Sequence, residues 1–124
     1  MKTILIVEDH ADMRELLISV VKLMGYSPVA VDNGKQALEK AVSEQPDLIL
    51  LDIMMPLMDG RETARALRSN PQTKGISILA ATALSRDSDL KGCLDAGCNE
   101  FIVKPFTCQE LRAKICELIG DRTC

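Results

Sequence analysis

The feature that most constrains this chain is an alternation of two periods along its length. Short apolar-rich runs, "TILIV" (3–7), "SPVAVD" (27–32), "LILL" (48–51), "ISILAA" (76–81) and "EFIV" (100–103), are each followed by a segment of helical spacing. Unbroken apolar runs of this length suit strands buried on both faces, whereas a half-exposed strand would alternate. After the first run, Met13, Leu16, Leu17, Val20, Val21 and Met24 recur at helical intervals, and Gly25 stops them. Ala37, Leu38, Ala41 and Val42 mark one face of a second helix that ends before Pro46. A third runs from about Gly60 to Ser69, and a fourth crosses Leu90 and Leu94 and stops at Gly97. The last carries Leu111, Ile115, Leu118 and Ile119 on one face, with Thr107 and Glu110 spaced as a capping box.

Strands that alternate with helices through short connections call for a parallel sheet covered by helices on both faces. The expectation is one α/β domain over residues 1–124, with five strands and five helices and no linker or repeat to divide it. "DNG" at 32–34 is compatible with a hairpin turn, but the helical spacing after it makes it a strand-to-helix turn.

Composition removes several classes of function. A net charge of −3 leaves no basic footprint for nucleic acid. With Tyr26, Phe101, Phe106 and no Trp, a base-stacking platform is excluded too. The opening "MKTILIVEDH" has only four consecutive apolar residues before Glu8, too few for a signal-peptide core or a membrane span, so a cytoplasmic location is expected. The five cysteines, Cys93, Cys98, Cys108, Cys116 and Cys124, are odd in number and include no C-x-x-C pair, and read as reduced thiols.

The polar residues then fall into a pattern. Glu8 and Asp9 follow the first strand, Asp52 the third, Thr82 the fourth and Lys104 the fifth. Each stands at the carboxyl end of its strand, the edge where open parallel sheets bind ligands. Periodicity does not fix strand order. On the assumption of the flavodoxin-like order 2-1-3-4-5, the first and third strands are neighbours and Glu8, Asp9 and Asp52 meet. Carboxylates so close repel, by roughly 4 kcal/mol per pair at 4 Å and an effective dielectric near 20. Either their pKa values rise or a divalent cation sits among them. Oxygen-only ligands in an open site suit Mg²⁺. A cation, the Lys104 ammonium and the Thr82 hydroxyl around one carboxylate are the parts of a phosphoryl-transfer site. Asp52 would be the nucleophile, Glu8 and Asp9 would hold the metal with help from a backbone carbonyl just after Asp52, and Lys104 and Thr82 would contact phosphoryl oxygens.

With these residues in place the chain resembles the receiver domain of two-component response regulators over essentially its whole length. The matching segments are "ILIVEDH", "LILLDIMMPLMDG", "ILAATAL" and "NEFIVKPF". Each is weak alone; together, each ending a strand of a five-unit chain, they are specific. The resemblance implies that Asp52 accepts a phosphoryl group from a phosphohistidine on a sensor histidine kinase or histidine phosphotransfer protein. Met54 would give a backbone carbonyl to Mg²⁺, and Lys104–Pro105 matches a cis peptide. Thr82 and Phe101 match a switch pair, and the fourth helix, fifth strand and fifth helix would form the surface that a downstream target or fused output domain reads. Met54 and Leu84 occupy the two positions that tune hydrolysis of the acyl phosphate. Their side chains orient water poorly, which predicts slow autodephosphorylation.

Three rivals stand beside this reading. A Mg²⁺-dependent aspartyl phosphohydrolase of the haloacid dehalogenase type would need a second Asp two residues after the nucleophile, where this chain has Met54. A degenerate receiver that binds partners without phosphorylation would not need the acidic pair, Thr82 and Lys104 intact. A receiver portion of a longer regulator or hybrid kinase stays open. On the favoured reading the chain is a regulator and not an enzyme in its own right. His10, after the acidic pair, reads as a solvent-facing rim residue, and Asp59 as a helix cap.

Overall fold

The computed structural model describes residues 2–53, 60–83 and 86–120. Ten elements alternate along them: β1 (Thr3–Val7), α1 (Ala11–Leu23), β2 (Ser27–Val31), α2 (Gly34–Glu44), β3 (Leu48–Asp52), α3 (Gly60–Ser69), β4 (Ser77–Thr82), α4 (Asp87–Asp95), β5 (Glu100–Val103) and α5 (Cys108–Ile119). The strands form one sheet in the order β2-β1-β3-β4-β5, and every neighbouring pair is parallel. This is the doubly wound flavodoxin-like arrangement expected, and the strand order taken as an assumption is the observed one.

Strand periodicity builds two cores, one on each face. Leu5, Val7, Ile49, Leu51, Ile78 and Ala80 point to the face covered by α2, α3 and α4, where Ala37, Ala41, Ala64, Leu67 and Cys93 meet them. Ile4, Ile6, Leu48, Leu50, Leu79 and Ala81 point to the other, under Leu17, Val20 and Val21 of α1 and Leu111 and Ile115 of α5. All five residues of β3 are buried, because the strand lies at the centre of the sheet and is covered on both sides. Each fully buried Leu or Ile removes enough apolar surface to contribute about 1.5–3 kcal/mol.

The helix ends explain the connections. Thr107 and Glu110 form the expected reciprocal capping box, with Glu110 N donating to Thr107 Oγ1 at 3.0 Å and Thr107 N donating to Glu110 Oε1 at 3.2 Å. The "DNG" segment is a strand-to-helix turn, since Asn33 Oδ1 caps α2 by accepting from Gln36 N at 2.9 Å. His10 is exposed, as expected of a rim residue, but it also caps α1, its Nδ1 accepting from Met13 N at 3.4 Å.

Cys93 and Cys98 are buried free thiols and Cys108 is an exposed one, whereas Cys116 is disulfide-bonded. The expectation of thiols throughout rested on redox compartment, which carries no information on which sulfurs a fold brings within reach. Met54, Asp59, Leu84 and Cys124 lie outside the described residues. Among the described residues, no helix is long and apolar enough to cross a membrane.

Candidate functional site

The parallel register delivers the polar residues to one edge. Val7 pairs with Leu51 and Asp52 with Ala81, while Thr82 pairs with Val103. Glu8, Asp52, Thr82 and Lys104 therefore end four adjacent strands at nearly the same level. One carboxylate oxygen from each of Glu8, Asp9 and Asp52 lies within 4.8 Å of the other two. Lys104 Nζ approaches from the β5 side, 3.4 Å from Asp52 Oδ1 and 3.5 Å from Glu8 Oε1. Burial differs across the group: Glu8 is 2% exposed and Asp52 5%, whereas Asp9 faces solvent.

This crowding of acids has an electrostatic consequence. The Glu8 carboxyl is raised from 4.5 to about 7, first by burial, then by its hydrogen bond with Asp52 and the charge of that carboxylate. The His10 N–H, which donates to Glu8 Oε2 at 3.2 Å, and the Lys104 ammonium pull it down only in part. Of the two outcomes expected for crowded carboxylates, the raised pKa is thus seen at Glu8. The donor set is three hard carboxylate oxygens, which is the chemistry of a Mg²⁺ site.

Backbone contacts hold the edge in place. Arg14 Nη1 donates to the Glu8 carbonyl at 3.1 Å and to the Asp9 carbonyl at 3.5 Å, bracing the turn that carries both acids. Gly60 opens α3 directly against the end of β3: a Cβ there would stand 2.6 Å from Ile53 Cα and 2.7 Å from the Asp52 carbonyl oxygen. Gly60 N also donates to the Ile53 carbonyl at 3.0 Å. Only a residue without a side chain allows that approach. The sequence marked Gly60 as the approximate start of the third helix and gave Arg14 no role. The signal available for Arg14 was a cation one turn into the helix that follows an acidic pair.

Lys104 N donates to the Thr82 carbonyl at 2.7 Å, tying the ends of β4 and β5, and the peptide from Lys104 to Pro105 is cis as expected. Phe101 pairs with Ala80 and packs on the same core as that residue, so its ring shares a sheet face with Thr82, two residues on. It is half-buried, and Lys114 Nζ of α5 lies 5.9 Å from its ring centroid. The ring is therefore part of the β5–α5 surface as well as of the core. Lys114 also pairs with Glu100 at 3.5 Å.

Residues 4–116 match the family described as the response regulator receiver domain. Over 114 residues the chain is 39% identical to the phosphate regulon transcriptional regulatory protein PhoB of Pseudomonas aeruginosa, covering 92% of this chain and 50% of that protein. It is 38% identical over 120 residues to the response regulator MprA of Mycolicibacterium vanbaalenii, covering 97% of this chain and 51% of the relative. The chain spans about half the length of these curated relatives. Among solved structures, the receiver domain of sensor histidine kinase PA1611 of Pseudomonas aeruginosa superposes with a TM-score of 0.89 at 32% identity, covering 97% of this chain and 98% of that one. That structure has a magnesium ion coordinated in its active-site cleft. The chemotaxis protein CheY4 of Vibrio cholerae superposes with a TM-score of 0.90 at 28% identity, over 95% of this chain and 98% of that one. Fold, edge geometry and sequence agree: the chain belongs to the response regulator receiver domains of two-component signalling.

Proposed function

We propose that Asp52 is the phosphoacceptor of this receiver domain. The observation that carries the reading is the position of its carboxylate, within 4.8 Å of oxygens on Glu8 and Asp9 and 3.4 Å from the Lys104 ammonium. An Asp52 oxygen forms the new P–O bond as the P–N bond of a donor phosphohistidine breaks and the imidazole leaves. Lys104 and the Thr82 hydroxyl take equatorial phosphoryl oxygens, and both are held at the sheet edge by the Lys104 N to Thr82 carbonyl bond. Glu8, Asp9 and Asp52 would hold Mg²⁺, joined by the Met54 carbonyl. Bound there, the ion would supply charge neutralisation at the phosphoryl oxygens.

The phosphoryl group adds negative charge and strong acceptors beside Thr82. A charge-assisted bond from that hydroxyl contributes about 1.5–3 kcal/mol, and rearranged pairing at Lys104 about as much again. Together these approach the roughly 5.5 kcal/mol that moves a population from 1:99 to 99:1. Movement of Thr82 leaves room for the Phe101 ring, and α4, β5 and α5 carry the change to a downstream protein or a fused output domain. The donors are a sensor histidine kinase or a histidine phosphotransfer protein, in the cytoplasm. The chain catalyses only its own phosphorylation and slow dephosphorylation. Incubation with acetyl phosphate and Mg²⁺, followed by intact-mass measurement, tests the reading. The parent gains one phosphoryl group and Asp52→Asn gains none; labelling of both, or of neither, contradicts it.

A further inference from the structure

The C-terminus of α4 carries two thiols that the phosphoryl chemistry does not use. Gly97 N donates to the Leu94 carbonyl at 3.0 Å and Cys98 N donates to the Cys93 carbonyl at 3.2 Å, with Gly97 at φ +111°. This pair of bonds is the Schellman motif, in which the residue after the left-handed glycine packs on the residue five positions before it. Here those two residues are Cys98 and Cys93, both free thiols and both in the core, 5% and 1% exposed. The motif brings the two side chains toward each other, close enough that charge on Cys93 disfavours charge on Cys98. Arg68 fixes the turn from outside, its Nε donating to the Gly97 carbonyl at 2.7 Å and its Nη2 to Asn99 Oδ1 at 2.6 Å.

Two further observations bear on reactivity. Burial raises both thiols, Cys98 to about 12, so in the closed structure they stay protonated. Yet Cys93 is the one buried residue of α4, and no side chain caps the start of that helix. A nine-residue helix held by so little apolar contact is among the first parts of a domain to open. Opening brings both sulfurs to water, where the burial that raises them is lost.

We infer that Cys93 and Cys98 form a redox modification site, a dithiol that small disulfide compounds oxidise to an intrachain disulfide across the C-terminus of α4. The Cys93 thiolate attacks one sulfur of the small disulfide, forming a mixed disulfide and releasing one thiolate, which takes up a proton. Cys98 then gives its proton to solvent and attacks the Cys93 sulfur, closing the bond and releasing the second thiol. The two cysteines lose two electrons and two protons, and the small disulfide becomes two thiols. The product staples the last turn of α4 to the start of β5. None of these steps involves Asp52.

The test uses the chain with Cys108→Ser, which removes the exposed competing thiol, incubated with oxidised glutathione. Unfolding, alkylation and peptide mapping then find Cys93 and Cys98 blocked and joined, with two hydrogens lost and no glutathione retained. Hydrogen exchange at the Cys98 amide slows by roughly tenfold or more as the turn is locked. In Cys98→Ala the reaction stalls as a glutathione adduct on Cys93. Full alkylation of both cysteines, or separate glutathione adducts on each in the parent sequence, overturns the inference. An unmodified Cys93 in Cys98→Ala, with circular dichroism showing the fold intact, overturns it as well.

Discussion

Lys104 Nζ stands 3.4 Å from Asp52 Oδ1 and 3.5 Å from Glu8 Oε1, so one ammonium from the fifth strand serves acids from the third and first. Replacing it with an apolar side chain of similar length leaves two buried carboxyls without that charge. Lys104→Met is expected to lower stability by about 1–2 kcal/mol, discounted because the ammonium is partly solvated. Urea unfolding reads this. Labelling by acetyl phosphate falls by at least about tenfold in the same variant, since a charge facing the transferred group is gone.

Stability depends on pH through Glu8. Its carboxyl titrates near 7 in the folded chain and at 4.5 without the fold, so the folded state binds the proton more tightly. The contribution is therefore fully present below about pH 4.5 and is lost as pH rises through 7, on the order of 3 kcal/mol in all. Mg²⁺ held by these acids would compete with that proton, so its stabilising effect is expected to grow over the same window. Urea midpoints with and without Mg²⁺ at pH 5.5 and pH 8 check this, with the larger metal-induced shift expected at pH 8, and Glu8→Gln removes most of the pH dependence.

The backbone of β3 meets α3 at a position that admits no side chain. Gly60→Ala places a methyl 2.6 Å from Ile53 Cα and 2.7 Å from the Asp52 carbonyl oxygen, so α3 must shift away. The expected loss of stability is about 1–3 kcal/mol, typical of overpacking. The Mg²⁺ affinity of the folded variant is expected to fall as well, because the methyl also presses on the Asp52 carbonyl at the end of β3; calorimetric titration measures it.

On the proposed function, Met54 and Leu84 are expected to set the lifetime of the acyl phosphate. Neither a thioether nor an isobutyl group orients a hydrolytic water, so the phosphorylated chain is expected to persist far beyond seconds. Met54→Asn shortens the lifetime by at least about tenfold. Phosphate release from the purified, phosphorylated chain reads both.

Much of this was legible in the residues because a parallel sheet buried on both faces writes itself as unbroken apolar runs, and "LILLD" became a strand with every residue buried. Glu8, Asp52, Thr82 and Lys104 were legible by position, each at the end of such a run. Strand order was not, since a period of two says which face a residue takes and nothing about its neighbour strand. Gly60 illustrates a second limit: its role depends on the backbone of Asp52 and Ile53, which only the folded register brings against it. The raised pKa of Glu8 is a third, arising from burial and proximity to Asp52 together. Cys116 departed from expectation because a disulfide depends on geometry that composition does not carry.

The most direct test of the central claim is the site of the phosphoryl group itself. Acetyl phosphate labelling with Mg²⁺, borohydride reduction of the acyl phosphate and peptide mapping should find homoserine at position 52 and nowhere else, with the signal abolished by chelating the metal. Reduction at another carboxylate, or labelling of Asp52 that is indifferent to the chelator, would contradict the account.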